Sequence, residues 1–291
     1  MTRLDIWVAT QAKPPFRLAE FYKPIFVGAD LSSPDVYESF QYTDNSGESI
    51  SKDNSKYCEL TALYWAWKNA PPLGIAGLCH YRRFFLFKTK RHFNIDRLPF
   101  NDRDSLLIDS LNDIPPVLIE FVQGGGWITA PRKKLNTTVY RNYVDDPCCS
   151  KNDFDIMITT VTEKYPEYSD SVSSFIASRY LNYFNMFLAR GDAFCLYCSW
   201  LFDILSSVNA RLDYSGRNKQ QMRVLGFLGE RLLSLYIHHN NLCTKEVLVG
   251  YHAPKHRLNY VYRGSSILFK QLSYRSLISL QSLANLGGIK L

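Results

Sequence analysis

The sequence predicts an α/β fold: a mostly parallel, Rossmann-type sheet flanked by helices, followed by a basic carboxyl-terminal tail. Three observations predict it. The first ninety residues read strand, strand, helix, strand, the alternation that builds a parallel layer. An apolar run beginning at Gly74, GIAGLCHYRRFF, ends in charged side chains, at the position where ligands usually meet an open α/β sheet. Two long apolar stretches, around CLYCSWLFDIL and LGFLGERLLSLYI, read as helices that close a core. With 291 residues, 46% of them hydrophobic, the chain can bury one large domain or two small ones.

Each element follows from its local pattern. LDIWVAT and PIFVGA are short β-rich runs closed by polar or glycine-containing turns, and each reads as a buried strand. YTDNSGESISKDNSKY, dense in Asp, Asn, Ser and Gly, reads as a loop ending in helix-capping residues. A single helix is expected over KYCELTALYWAWKN, with Leu60, Leu63, Tyr64 and Trp67 on one face, widened by Ala62 and Trp65, and with Pro71 and Pro72 as its stop. GWITAP is a further strand, with Trp127 in the core, and YLNYFNMFLA reads as one continuous aromatic strand from Tyr180. The two closing helices run from about Asp192 and over QMRVLGFLGERLLSLYIHH.

The end of the chain has a different character. After Glu246 there is no acid, while Lys255, Arg257, Arg263, Lys270, Arg275 and Lys290 are basic. Leu277, Leu280, Leu283 and Leu286 recur at three-residue spacing, which suits either an amphipathic helix on an anionic membrane surface or a solvated tail docked on the core. The chain therefore divides into a core domain, residues 1–250, and a basic tail, residues 251–291.

Seven cysteines form an odd set without paired metal-ligand spacing, and Cys195 and Cys198 fall inside a helix-like run, so they read as small buried thiols in a reducing compartment. The amino end has no signal-peptide pattern, and no apolar run is long enough to span a bilayer. A net charge of +7 favours anionic partners: polyanions, lipid surfaces or phosphorylated substrates. At the strand end, His80, Arg82 and Arg83 sharpen that statement. Guanidinium groups form bidentate, charge-assisted bonds to phosphate oxygens, so the arrangement suits an anionic ligand; the alternative is surface ion pairing around a hydrogen-bonded His80.

The segments VGADLS, DNSGESISKDNSKYCELTALYWAWKN, GLCHYRRFF, VYRNY, EKYPEY, YFNMFLARGDAFCLYCSWLFDIL and GFLGERLL together carry a resemblance. They resemble a bacterial capsular and exopolysaccharide-synthesis family, first catalogued as a domain of unknown function and now counted among glycosyltransferases, over residues 6 to about 240. The resemblance implies a GT-A-like fold and residues 1–250 as its catalytic domain. It also implies an inverting transfer of a hexose, galactofuranose in characterised relatives, from a UDP-sugar to a growing capsular, O-antigen or exopolysaccharide glycan. The acceptor would be lipid-linked or an oligosaccharide, and the enzyme cytoplasmic and peripheral to the inner membrane face through its basic tail.

Carried onto matching positions, the resemblance implies a site. Thr10 and Lys13 would grip the nucleotide and Gly28 would admit its base, while Asn45, Ser51, Asn54 and Glu59 would bond ribose or uracil unless they only make turns and caps. Tyr183 and Asn185 would meet the sugar or acceptor, Asn185 being either functional or locked to backbone. The base that takes the acceptor proton would be Glu230, the acid within the apolar helix, unless it only pairs with Arg231; Asp192 is the second candidate and otherwise a helix cap. GT-A enzymes usually hold a divalent cation with Asp-x-Asp at a strand end. Both literal matches here, Asp102-Arg103-Asp104 and Asp153-Phe154-Asp155, are expected to follow loops and cap helices, so manganese or magnesium is not favoured and Arg82 and Arg83 would take over the leaving diphosphate. A non-catalytic binder of nucleic acid or anionic glycan is the rival reading; no nucleic-acid motif accompanies the basic charge.

Overall fold

The computed structural model describes residues 3–72, 74–89 and 97–252. Its strands are β1 (Leu4–Thr10), β2 (Tyr22–Phe26), β3 (Tyr42–Thr43), β4 (Ile75–His80), β5 (Arg83–Phe85), β6 (Arg97–Phe100), β7 (Trp127–Thr129), β8 (Arg132–Lys134), β9 (Tyr180–Asn182), β10 (Phe187–Arg190), β11 (Thr244–Glu246) and β12 (Val249–His252). The main sheet has ten strands, with the path β11-β7-β10-β4-β1-β2-β3 and a branch in which β12 joins β5 and β6. β4, β1, β2 and β3 run parallel, and β10 is inserted antiparallel between β4 and β7. β8 and β9 form a separate antiparallel ribbon.

β1 explains the layering. Its alternate residues Trp7 and Ala9 enter one core and Ile6 and Val8 the other, because successive side chains of a strand point to opposite faces. The first core holds the helices Leu60–Asn69, Gly191–Arg211 and Val224–His239, with Leu63, Leu201 and Leu228 fully buried and Trp127 stacked on Phe187. The second holds Cys79, Phe84, Phe85, Phe100 and Leu188. Each such buried side chain contributes about 1.5–3 kcal/mol, which is why strands covered on both faces read as unbroken apolar runs. Gly191–Arg211 is long and apolar enough to cross a membrane by length and composition; here it packs on β4, β10 and neighbouring helices as a core element.

Several expectations are corrected. The helix expected over KYCELTALYWAWKN breaks into Asn54–Tyr57 and Leu60–Asn69 at Cys58, whose φ of 54° no continuous helix allows. The Asn54 amide stabilises the break by donating to the Cys58 carbonyl and the Thr61 hydroxyl. YLNYFNMFLA is not one strand either: residues 183–186 form a turn between β9 and β10. Asp102 does follow a strand, two residues after β6 ends, and Asp104 then accepts from the Asn101 amide just before the helix Ser105–Asn112. β12 ends at residue 252, so the core extends past the expected boundary at 250; the rest of the tail lies outside the described residues.

Asp153 is buried in the first turn of the helix Lys151–Lys164 and receives both Arg217 Nη atoms, at 2.7 and 2.8 Å. Its neighbour Asp155 pairs with Lys151 at 2.5 Å. Removing one partner of a buried pair leaves the other uncompensated, so Asp153→Asn is expected to lower unfolding free energy by about 3–5 kcal/mol in a urea titration. A midpoint equal to the parent's would show that this pair is dispensable.

Candidate active site

Parallel strands bring their carboxyl ends to one edge of the sheet, where ligands usually sit. β1 ends at Thr10, and Gly28 lies two residues past the end of β2; β4 ends at His80, in register with Ala9. Gly28 has φ 74°, and a Cβ there would fall 2.9 Å from Asn54 Oδ1, so only glycine fits without strain. The loop behind it is organised by Asp44, which is fully buried and accepts from the Gly28 amide (2.8 Å), the Ala29 amide (3.1 Å) and Ser51 Oγ (2.5 Å). The sequence reading missed Asp44; its one signal was a place in an Asx-rich loop, which any turn-making Asp shares.

The parts expected to hold nucleotide are thus largely engaged in the scaffold. The Thr10 hydroxyl bonds the backbone of Ala12, Ser51 bonds Asp44 and the Asp30 amide, and Asn54 bonds Cys58 and Thr61. Asn45 is partly buried beside Asp44. Lys13 is exposed on the rim of a separate open groove of about 600 Å³ that Lys23, Phe40 and Tyr42 also line.

At the end of β4 lies a cavity of about 180 Å³ whose polar wall is Glu59, His80, Arg83, Arg223 and Glu230 and whose apolar wall is Phe184 and Phe227. The break at Cys58 starts the helix Leu60–Asn69 with Glu59 facing the cavity, and Val224–His239 supplies Glu230 from the opposite side. Burial holds His80 below the ordinary imidazole range, favouring its neutral form, and its Nε2–H donates to the Phe184 carbonyl. Glu59 Oε1 lies 3.8 Å from that nitrogen and accepts from Asn185 Nδ2 at 2.8 Å.

Arg83 heads β5, with its guanidinium 4.5 Å from the centre of the Phe184 ring, and burial lowers its pKa, which still leaves a guanidinium charged at neutral pH. Its Nε is buried with no hydrogen-bond partner. Glu230, its side chain 13% exposed, accepts from the Phe184 amide at 2.9 Å and from Arg231 Nη1 at 3.0 Å. Desolvation outweighs Arg231 and raises the Glu230 pKa above the ordinary carboxylate value; nearby Glu59 raises it further. Burial also pushes the Cys58 thiol up to about 12, so the cavity's one sulfur is a neutral thiol that bonds Arg223 at 3.3 Å.

Backbone strain is concentrated here. Four non-glycine residues have positive φ among the described residues, and three of them, Cys58, Phe184 and Asn185, meet at this cavity or directly behind it. An aromatic at φ 81° is held only by surroundings that over-determine it. For Phe184 these are its amide on Glu230 and its carbonyl on His80. Asn185 donates to Glu59 and the Gly226 carbonyl, while its Oδ1 is buried without a partner beside Gly229, where a Cβ would crowd Leu60 at 2.7 Å.

The structure therefore brings together Glu59, His80, Arg83 and Glu230, with Asn185 behind them and Tyr183 on the outer side of the same turn. It does not bring Arg82 to the cavity: that guanidinium lies 4.8 Å from the Tyr81 ring. Asp192 is also elsewhere. It sits exposed at the opposite end of β4, because Arg190 of antiparallel β10 pairs with Ile75, and Arg190 grips it with two bonds and holds its pKa near 2. Arg223 and Phe227 were not anticipated. Arg223 lies 140 residues after Arg83, with no local pattern to link them.

Comparison with solved structures finds a similar chain titled "WbbM bifunctional glycosytransferase apo structure", with a TM-score of 0.78 and 29% identity over 86% of this chain. This chain spans 45% of that one. No curated protein sequence matches. The mixed sheet, parallel apart from inserted strands and flanked by helices, is GT-A-like, as the sequence predicted. Residues 5–241 match the family described as "Domain of unknown function (DUF4422)", and over that span, close to the one on which the resemblance was drawn, the chain belongs to this family.

Proposed function

We propose that this chain is an inverting glycosyltransferase. It moves a hexose, galactofuranose by the resemblance, from a UDP donor to a growing capsular, O-antigen or exopolysaccharide glycan at the cytoplasmic membrane face. The observation that carries the reading is a half-buried cation, Arg83, whose Nε is buried without a partner, sharing one cavity with a carboxylate whose pKa burial raises, Glu230. In an inverting transfer the acceptor hydroxyl loses its proton to Glu230 as its oxygen bonds the anomeric carbon. The bond from that carbon to the UDP oxygen breaks on the opposite face, and Arg83 stabilises the negative charge released there.

His80 and Glu59 position the Phe184–Asn185 turn that carries this geometry. In this reading the guanidinium of Arg83, at the strand end, takes the diphosphate in place of a divalent cation. Of the two Asp-x-Asp pairs, the second is consumed by Arg217 and Lys151.

Calorimetric titration of UDP into the purified chain in excess EDTA tests the reading. Binding is expected to survive chelation and to weaken in Arg83→Ala. Binding that returns only with manganese or magnesium would overturn the metal-free assignment, and absence of binding under both conditions would overturn UDP as donor.

A further inference from the structure

A second cavity, of about 240 Å³, shares Phe184 with the first and is lined by Arg97, Pro131, Lys133, Tyr183 and Phe184. We propose that it holds an oxyanion, a carboxylate or phosphate carried by the acceptor, between Arg97 and Lys133. This rests on the transferase reading and names the acceptor's chemical class.

Topology places this cavity on the acceptor side. Thr10 ends β1 and Gly28 follows the end of β2, both to one side of β4, whereas β10 and β7 lie to the other. Pro131 and β8 continue directly from β7, and Tyr183 and Phe184 precede β10. An acceptor entering past β8 thus meets the Glu230 cavity from the side away from the nucleotide end of the sheet. Phe184 is the partition, with Arg83 4.5 Å and Arg97 5.4 Å from its ring centre.

The chemistry asks for an anion. β8 is Arg-Lys-Lys with all three side chains exposed. Arg132 has a loose pair with Glu246 at 3.6 Å, but Arg97, Lys133 and Lys134 make no ion pair among the described residues. Arg97 and Lys133 flank one small cavity in which, among the described residues, no acid lines the wall. Cations brought together without a carboxylate repel one another until a counter-ion arrives, and the guanidinium suits an oxyanion in two-point contact. An aromatic face completes a site for a charged sugar: Lys133 Nζ lies 5.8 Å from the Tyr183 ring, which lines the same cavity. A neutral glycan would leave these charges unanswered. A uronate residue of the glycan and the diphosphate of a lipid carrier both supply the oxyanion.

The test is calorimetric titration of the full chain, saturated with UDP, with three probes: 4-nitrophenyl β-glucuronide, its neutral glucoside analogue and farnesyl diphosphate. An Arg97→Ala/Lys133→Ala protein is measured beside the parent. Both residues are exposed, so the variant is expected to fold normally. At least one anionic probe is expected to bind the parent about tenfold or more tightly than the glucoside. The double variant is expected to lose that preference while its UDP affinity stays unchanged, and Arg97→Lys/Lys133→Arg should restore it. Whichever anionic probe binds more tightly identifies the source, glycan uronate or lipid diphosphate. Equal binding of charged and neutral probes to the parent, or an undiminished preference in the double variant, would overturn the proposal. Repeating the titrations without UDP separates the two readings: a chain that takes the anionic probe through Arg97 and Lys133 but never binds UDP retains this site and loses the transferase assignment.

Discussion

Arg83→Ala is expected to reduce turnover of a nucleotide-diphosphate sugar by about 10²–10³-fold, the usual effect of removing one preorganised donor to a developing anion. The chemical step is the sensitive one because Arg83 is already desolvated, with its Nε unpartnered, so it does not reorganise as charge appears on the leaving group. Fold stability should change far less. The neighbouring Phe84 and Phe85, not Arg83, supply the buried apolar contact of β5, and what the mutant loses is mainly ring contact with Phe184. Steady-state kinetics on the parent's own donor, alongside a urea titration, makes the comparison. Undiminished kcat would remove Arg83 from the reaction, whereas a lower midpoint accounting for the whole loss would make it a structural residue. Arg83→Lys should recover only part of the rate, since an ammonium keeps the charge and forfeits the planar fork.

Glu230→Gln is expected to cost about 10²–10⁴ in turnover, the range for loss of a positioned general base. The carboxamide retains an oxygen for the Phe184 amide but removes the charge that Arg231 pairs with, so a urea titration beside the kinetics separates lost stability from the lost proton acceptor. The pH dependence has a definite sign. Burial raises the folded pKa, and a base works only when deprotonated, so the parent's acid limb should lie above the ordinary glutamate range and rates should rise through it. The glutamine variant should lack that limb. Stability should move the opposite way: between the unfolded and the raised folded pKa the native state binds more protons, so parent stability falls as pH rises through that window, and Glu230→Gln flattens the slope. An acid limb unchanged in position in the variant would sink Glu230 as the base.

Much of this site was legible because it rests on local signals. The His80-Tyr81-Arg82-Arg83 stretch announces itself as charge at the end of an apolar strand, and Glu230 as the acid in an apolar helix; both lie at the cavity or its edge. What was not legible depends on which way a strand runs and which way a turn faces. Arg82 and Arg83 look equivalent in the sequence, yet Arg82 belongs to the turn while Arg83 opens β5, and only Arg83 reaches the cavity. Asp192 looked adjacent to the site because it follows the Tyr183–Asn185 stretch closely. Antiparallel β10 carries the chain away along β4 and leaves that acid at the far edge. The turn itself was read as strand because aromatic and apolar residues favour strands, while tertiary bonds from Glu230, His80 and Glu59 impose positive φ on Phe184 and Asn185.

By itself, then, the sequence determined the α/β class, the order of the first buried strands and of the helices that close the core, and the two kinds of charge the site employs, because apolar periodicity and charges at strand ends are local properties of the chain. Only the tertiary structure decided which arginine enters the cavity, that Asp44 fastens the Gly28 loop, and that Arg97 and Lys133 meet beside Phe184. Those pairings depend on strand direction and on contacts between residues far apart in the chain, 126 positions for Asn185 and Glu59 and 165 for Arg223 and Cys58, and no local pattern encodes either.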